Sequence, residues 1–316
     1  MRLAQAAWAW ILLGALSVPP CQSQPAAARP PLGEPGSARL ISPYSPYTLK
    51  LTSFAPSPGQ VTGVLLKARI NSGPELRLLL DSGAEYLTLD SKAAMRSSLR
   101  GASDLVLVGA SRTGSGVAAS AAKVEIGPLV FSDCPVNVVR KRMPGGIDGV
   151  IPLALFAGFL VRLDLPAKTL GLEPYPEGAM RPAGSSGGAG YGSLLLVKAV
   201  VNEALEGYVL LDTGAAYTGI SFETAHALRS RPVESLHLAD AAGDLTGDRV
   251  GKGIRFRIAG QELKAGDPVA LDLRTVSGYN GLELIGVLGY PDLRCTVLNV
   301  NYREARIGIE LEGDGK

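Results

Sequence analysis

The sequence predicts a mostly β protein built as two homologous lobes, and three observations carry that expectation. The 316 residues include 39 Gly and 22 Pro, a turn-rich composition that suits many short strands. A long block of the first half recurs in the second half without a gap. A Gly/Ser-rich stretch, residues 182–192, lies between the two copies and reads as a linker. With 46% hydrophobic and 19% charged residues, the chain can bury a core in each lobe.

In chain order, the first element is an export signal. Arg2 supplies a positive start, and Leu3 to Val18 is apolar except for Gln5 and Ser17. That run is shorter than the roughly 20 residues a spanning helix needs. Residues 1–23 therefore read as a signal peptide cleaved after Ser23, with export to a periplasmic or extracellular space expected. Lipidation at Cys21 is the competing reading, opposed by Pro20 just before it; an uncleaved membrane anchor is another. Residues 24–46 are rich in Pro, Ala, Gly and Ser without hydrophobic period, and read as a flexible tether. The N-terminal lobe is assigned to 47–178, the linker to 179–193 and the C-terminal lobe to 194–316. Once Cys21 leaves with the signal, Cys134 and Cys295 remain, either as a pair or as two isolated thiols.

The repeat is specific. Leu65–Leu89 overlies Leu196–Ile220 with 11 of 25 positions identical, among them Lys67/Lys198, Asn71/Asn202, Asp81/Asp212, Gly83/Gly214 and Tyr86/Tyr217. Each copy reads as two strands joined by a turn, the second running into an Asp-Ser/Thr-Gly-Ala corner. Asp148–Leu172 then overlies Ile285–Ile309, keeping Gly149/Gly286, Val150/Val287 and a strand-turn-strand pattern. Between these blocks lie strand-like stretches such as Leu105–Val108, Lys123–Ile126 and Ile254–Ile258. Short helices are expected over Ser91–Leu99 and Phe222–Arg229.

Much chemistry is excluded by what the chain lacks. His226 and His237 are its two histidines, and neither belongs to a Gly-x-Ser-x-Gly or His-Glu-x-x-His pattern, so both read as ordinary helix or strand residues. No metal site and no cofactor is expected. A net charge of +2, with Arg140-Lys141-Arg142 as the densest basic run, gives no footprint for nucleic acid.

What remains is a pair of carboxylates presented alike by two repeats. Asp81 follows Leu78-Leu79-Leu80, and Asp212 follows Val209-Leu210-Leu211. An apolar strand delivers its aspartate into a poorly solvated place, where ionisation is costly. The glycine after it lets two such corners approach closely. Two carboxylates brought together share a proton, so that one acts as base on a bound water while the other polarises the carbonyl under attack. One Asp-Ser/Thr-Gly triplet alone means little. Two in register, each followed later by a glycine and two apolar residues, at Gly149 and at Gly286, mean much more.

These motifs resemble those of aspartic proteases of the pepsin/retropepsin clan, over about residues 48–312. The resemblance implies two β-barrel lobes with the active site between them, Asp81 and Asp212 as catalytic residues, and an aspartic endopeptidase needing no cofactor. It implies loop support from Ser82, Gly83, Ala84, Thr213, Gly214, Ala215 and Gly289. Val287-Leu288-Gly289 matches the family's bracing segment; Val150-Ile151-Pro152 departs from it, with proline where glycine is expected. Ala84 and Ala215 follow the retroviral pattern. Val108–Val117, Gly- and Ser-rich and without an aromatic residue, is the candidate flap. The expected partner is a peptide or unfolded protein, and a monomer suffices. The alternative is a catalytically silent binding module of the same fold.

Overall fold

The computed structural model describes residues 38–176, 193–251 and 253–311, and the backbone alone of 9–10, 16–18 and 186–187. Most of the signal segment, of the tether and of the linker lies outside the described residues. Where the tether's end is described, it is not free. Arg39–Leu40 (β1) pairs with the strand at Phe131–Ser132, and the Ile41 amide donates to Val130 O at 2.8 Å. The tether's described end, from residue 38, therefore lies against the N-terminal lobe, a correction to the expected 24–46 tether. The cause is an open strand edge whose backbone groups need partners.

The N-terminal lobe contains β2 (Tyr47–Lys50), β3 (Thr52–Phe54), β4 (Gly63–Ile70), β5 (Glu75–Asp81), β6 (Leu87–Asp90), α1 (Ser91–Arg96), β7 (Ser103–Val108), β8 (Thr113–Ile126), β9 (Leu129–Val139), β10 (Gly149–Pro152), β11 (Phe159–Asp164) and β12 (Thr169–Pro174). Its sheet runs β7-β8-β9-β6-β10-β5-β4-β3, and a further β8–β4 pairing closes it into a barrel.

The C-terminal lobe repeats this order with β13 (Leu196–Val201), β14 (Leu205–Asp212), β15 (Gly219–Ser221), α2 (Phe222–Ala227), β16 (Pro232–Asp240), β17 (Gly243–Val250), β18 (Ile254–Ile258), β19 (Gln261–Ala265), β20 (Val269–Leu271), α3 (Arg274–Asn280), β21 (Leu284–Gly289), α4 (Tyr290–Leu293), β22 (Thr296–Asn301) and β23 (Arg306–Leu311). Its sheet runs β16-β17-β20-β15-β21-β14-β13-β18-β19. The mostly β, two-lobed expectation holds.

The repeat register explains a difference between the lobes. The ungapped register that sets Asp81 on Asp212 also sets α1 on α2. By the time the chain reaches Gly149/Gly286 the second lobe has run longer than the first. Most of the extra residues fall at α3, where the first lobe has a single turn at Pro144–Gly146.

Both repeat asparagines have a structural reason. Asn71 and Asn202 turn their hairpins at positive φ, 52° and 49°, a conformation Asn tolerates better than most residues. Their Oδ1 atoms accept from the Lys123 and Arg255 amides at 3.2 and 2.8 Å. The two motif helices are capped at their first turn, Asp90 accepting from Ala93 N at 2.7 Å and Ser221 from Thr224 N at 3.0 Å.

A shared sheet, β23-β22-β11-β12-β2, joins the lobes. At its centre β11 and β22 pair antiparallel, with Val161 opposite Val300 and Leu163 opposite Leu298. Beneath it Phe156, Phe159, Leu163, Leu298 and Tyr302 are buried in one core continuous between the lobes. Cys134 is buried and Cys295 exposed, both as free thiols.

Candidate active site

Each aspartate stands at the end of a strand that has no solvent-facing side at that point. Leu78, Leu79 and Leu80 are at most 1% exposed, a burial that stabilises each by about 1.5–3 kcal/mol and draws Asp81 inward with them. Val209, Leu210 and Leu211 do the same for Asp212. Both aspartates are 0% exposed.

The strands are braced from the side. β10 runs parallel to β5 with Pro152 opposite Asp81, and β21 runs parallel to β14 with Gly289 opposite Asp212. In the second lobe the Gly289 amide donates to Thr218 Oγ1 at 3.0 Å and the Tyr290 amide to Ala215 O at 2.9 Å. A Cβ on Gly289 would sit 2.3 Å from Tyr217 O, so only glycine fits there. In the first lobe the same register is kept by a residue with no amide proton. In the register that sets Asp81 on Asp212, Leu87 stands where Thr218 stands, so both donor and acceptor are missing together. The expected weakness at Pro152 is thus matched by an apolar partner position, and Asp81 keeps its place.

The hydroxyl residues tie the two corners to each other. The Ser82 amide donates to Thr213 Oγ1 at 3.1 Å, and the Thr213 amide donates to Ser82 Oγ at 3.0 Å. Each hydroxyl then donates onward across the junction, Ser82 Oγ to Leu211 O at 2.7 Å and Thr213 Oγ1 to Leu80 O at 2.9 Å. These bonds are buried and reciprocal, a geometry that fixes one corner relative to the other. Gly83 and Gly214 permit the approach. A Cβ on Gly83 would lie 2.6 Å from Asp212 Cγ, and one on Gly214 would lie 2.5 Å from Asp81 Cγ.

The carboxylates differ in their two oxygens. Gly83 N donates to Asp81 Oδ1 at 2.7 Å, and Gly214 N and Ala215 N both donate to Asp212 Oδ1 at 2.9 Å. Oδ2 of each is buried and has no donor among the described residues. Burial pushes Asp81 well above the usual carboxylate range, and the neighbouring Asp212 charge pushes it further. Burial also raises Asp212, while its contact with Asp81 and the Gly214 and Ala215 amides oppose the rise. Two buried acid groups in contact hold one proton between them.

The residues expected at the site are thus brought together: Asp81, Asp212, Ser82, Gly83, Ala84, Thr213, Gly214, Ala215 and Gly289. His226 and His237 stand apart, exposed on α2 and β16. Arg140 and Lys141 are exposed in the loop after β9, and Lys141 pairs with Asp244 of the other lobe at 2.5 Å.

The candidate flap is a hairpin, β7 to β8, closed by the Gly109 amide donating to Arg112 O at 2.8 Å. The sequence reading missed its counterpart, β16 to β17, which turns at Ala241–Ala242. The signal for it was present: the register of the aspartates carries 103–108 onto 234–239. The hairpins cross. Val108 and Ala110 of the first share an apolar cluster with Leu210 and Ala215 of the second lobe. Ala241 of the second packs on the cluster that holds Leu107 and Ala84 of the first.

Comparison with known proteins agrees with this architecture. The profile of a family described as Aspartyl protease matches residues 66–152, which include the Asp81 corner and its brace. No curated protein matches the chain. Among solved structures, the aspartic proteinase from Irpex lacteus is similar with a TM-score of 0.55 at 15% identity, covering 85% of this chain and 98% of that one. That likeness is one of fold. The fold is thus that of an aspartic proteinase, and residues 66–152 resemble the aspartyl protease family.

Proposed function

We propose that this chain is an aspartic endopeptidase in which Asp81 and Asp212 activate one water between them. The observation that supports it most is the pair of buried Oδ2 atoms, which lack a donor among the described residues while the hydroxyls and amides around them are engaged. A water held there has two acceptors and one available proton.

In the reaction, ionised Asp212 takes a proton from the water as its oxygen bonds to the peptide carbonyl carbon. Asp81 gives its proton to the carbonyl oxygen, which becomes a hydroxyl. The tetrahedral gem-diol then collapses: Asp81 takes a proton back from one hydroxyl, Asp212 gives its proton to the amide nitrogen, and the C–N bond breaks. Water has been consumed and the dyad is back at one proton. The substrate is an extended peptide or unfolded protein, whose backbone can pair with the hairpin edges above the dyad. One chain carries both aspartates, so a monomer is sufficient. The apolar leader ending near Ser23 adds the proposal that the enzyme works after export.

The test is hydrolysis of an unfolded protein substrate across pH by the wild type, Asp81→Asn and Asp212→Asn. Turnover confined to the wild type supports the mechanism; wild-type protein inert at every pH, or turnover surviving in either variant, overturns it.

A further inference from the structure

The two hairpins do not merely lie near each other; they are joined through one side chain. Asp240 closes the second hairpin and is 1% exposed. Its Oδ1 accepts from Ala242 N at 2.8 Å and Gly243 N at 3.0 Å, which shapes its own turn. Its Oδ2 crosses to the other lobe and accepts from Ala110 N at 2.8 Å, at the tip of the first hairpin.

The repeat register makes this contact asymmetric in a telling way. Gly109 and Asp240 occupy the same position of the two hairpins, in the register that sets Asp81 on Asp212. A Cβ on Gly109 would fall 2.2 Å from Asp240 Oδ2. One copy lacks a side chain and the other fills the space. Close by, a Cβ on Gly114 would lie 2.5 Å from Ala242 O, so the strand after the first tip also touches the backbone of the second tip. α3 of the second lobe completes the seat: Val276 N donates to Ala110 O at 3.3 Å, and Tyr279 OH to Glu85 at 3.0 Å.

We propose that Asp240 is a positioning residue, the latch that fastens the two hairpins into one roof over Asp81 and Asp212, and that peptide enters when this carboxylate releases the Ala110 amide. The dyad under the roof has no solvent exposure, so a substrate cannot reach it while the tips are joined. A latch of one side chain can both hold and open, since a single hydrogen bond to a charged group is a small part of the stability of a fold.

The latch also responds to acid. Burial raises Asp240 to about 6, against the pull of the Ala110, Ala242 and Gly243 amides and of Arg112. The other charges at the seat are already engaged. Asp244 on the same hairpin is held by Lys141, and α3 begins with the Arg274–Asp272 pair at 2.6 Å. Glu85 accepts from Tyr279, and His237, on the same strand as Asp240, is exposed. With the roof open, Asp240 meets water and returns to the ordinary carboxylate range. Its value is therefore higher in the closed state, so protonation favours closure. Closure is strongest at acid pH and weakens as pH rises through about 6, the same side of neutrality on which the dyad keeps its shared proton.

Amide exchange at the tips tests the latch directly and does not require proteolysis. The latch's role as a gate for peptide rests on the activity proposed above, whereas its mechanics do not. Hydrogen–deuterium exchange, corrected for the intrinsic rate at each pH, is followed in segments 109–112 and 241–243 of the wild type, Asp240→Ala and Asp240→Asn. In Asp240→Ala the first segment should exchange about tenfold faster or more, with exchange in β5 and β14 unchanged. Asp240→Asn, neutral and still able to accept from Ala110, should keep protection and make it independent of pH. Exchange at 109–112 no faster in Asp240→Ala than in the wild type overturns the proposal. If that variant loosens the whole fold, Asp240→Asn decides: pH-flat protection supports the latch and a wild-type pH dependence overturns it. Where turnover is seen, Asp240→Ala should lower KM severalfold, since peptide no longer waits for the latch to release, with a smaller change in kcat.

Discussion

Pro152 pairs in register with Asp81, in the place where Gly289 pairs with Asp212. The two braces reach the same geometry by different chemistry. One uses an amide and a hydroxyl, Gly289 N to Thr218 Oγ1. The other uses neither, since proline has no N–H and Leu87 no hydroxyl.

That exchange of one pair for another predicts a coupling. Pro152→Gly alone leaves a buried N–H without a partner, and Leu87→Thr alone buries a hydroxyl without one. Each should cost about 1–3 kcal/mol in denaturant melts. The double variant Leu87→Thr/Pro152→Gly should recover part of that loss, with a coupling of about 0.5–3 kcal/mol in a double-mutant cycle. Simple additivity would show that the two positions do not form a unit.

The dyad should behave as one group in kinetics. Asp81→Asn and Asp212→Asn should each lower kcat by about a thousandfold or more, and the double variant should be scarcely worse than either. Single-turnover measurements on one peptide substrate check this.

The same two residues make an opposite prediction for stability. Burial raises both carboxyls, to about 7 for Asp212, against about 3.9 in an unfolded chain. Protonation therefore favours the fold, and this contribution is fully present below about 3.9 and lost as pH rises through the native values. Above neutrality the fold must hold a buried charge that asparagine does not carry. Asp212→Asn should thus raise Tm in mildly alkaline buffer and change it little in acid. An equal shift in both buffers would show that ionisation of the pair is not costly.

The reciprocal hydroxyls should matter more for joining the lobes than for either lobe alone. Thr213→Val keeps the shape but removes the bonds to Ser82 N and Leu80 O, and leaves both of those buried groups unpaired. A loss of about 2–4 kcal/mol is expected by chemical denaturation, together with a fall in kcat as the two carboxylates lose register.

Ala84 and Ala215 offer a pH test of the site itself. Both are wholly buried beside the carboxylates and neither can donate a side-chain hydrogen bond. Ser at both positions would add a donor, favour ionisation and move the acid limb of the pH–rate profile downward. A limb that stays in place would show that the added hydroxyls do not reach the dyad.

Most of the corner was legible in the sequence because it is local. Apolar strand, aspartate, hydroxyl, glycine and capped helix follow one another between Leu78 and Arg96, and the repeat states them twice. The contribution of Pro152 was harder to read, since it depends on Leu87, a residue of a different strand that no motif includes. Asp240 was missed for a related reason. In its own hairpin it looks like any turn aspartate, and its importance arises from Gly109, a residue notable only for what it lacks. Extending the ungapped alignment past Leu89 would have placed the two in register, but not in contact. The same is true of the tether's end at Arg39–Leu40, whose surroundings suggest a free chain and whose backbone finds an edge to bind.

The pairing of β11 with β22 carries one more implication. Val161 opposite Val300 and Leu163 opposite Leu298 is an isologous contact, the form a two-fold dimer of identical subunits would use. In such a dimer every change appears on both sides of the axis. Two copies of Asp240 would then bring two buried carboxylates to the same seat, and two copies of Gly109 would bring none. Joining the halves in one chain removes that constraint. It lets each half specialise against the other, so that a glycine can answer an aspartate and a leucine a threonine, while the aspartates themselves remain a matched pair.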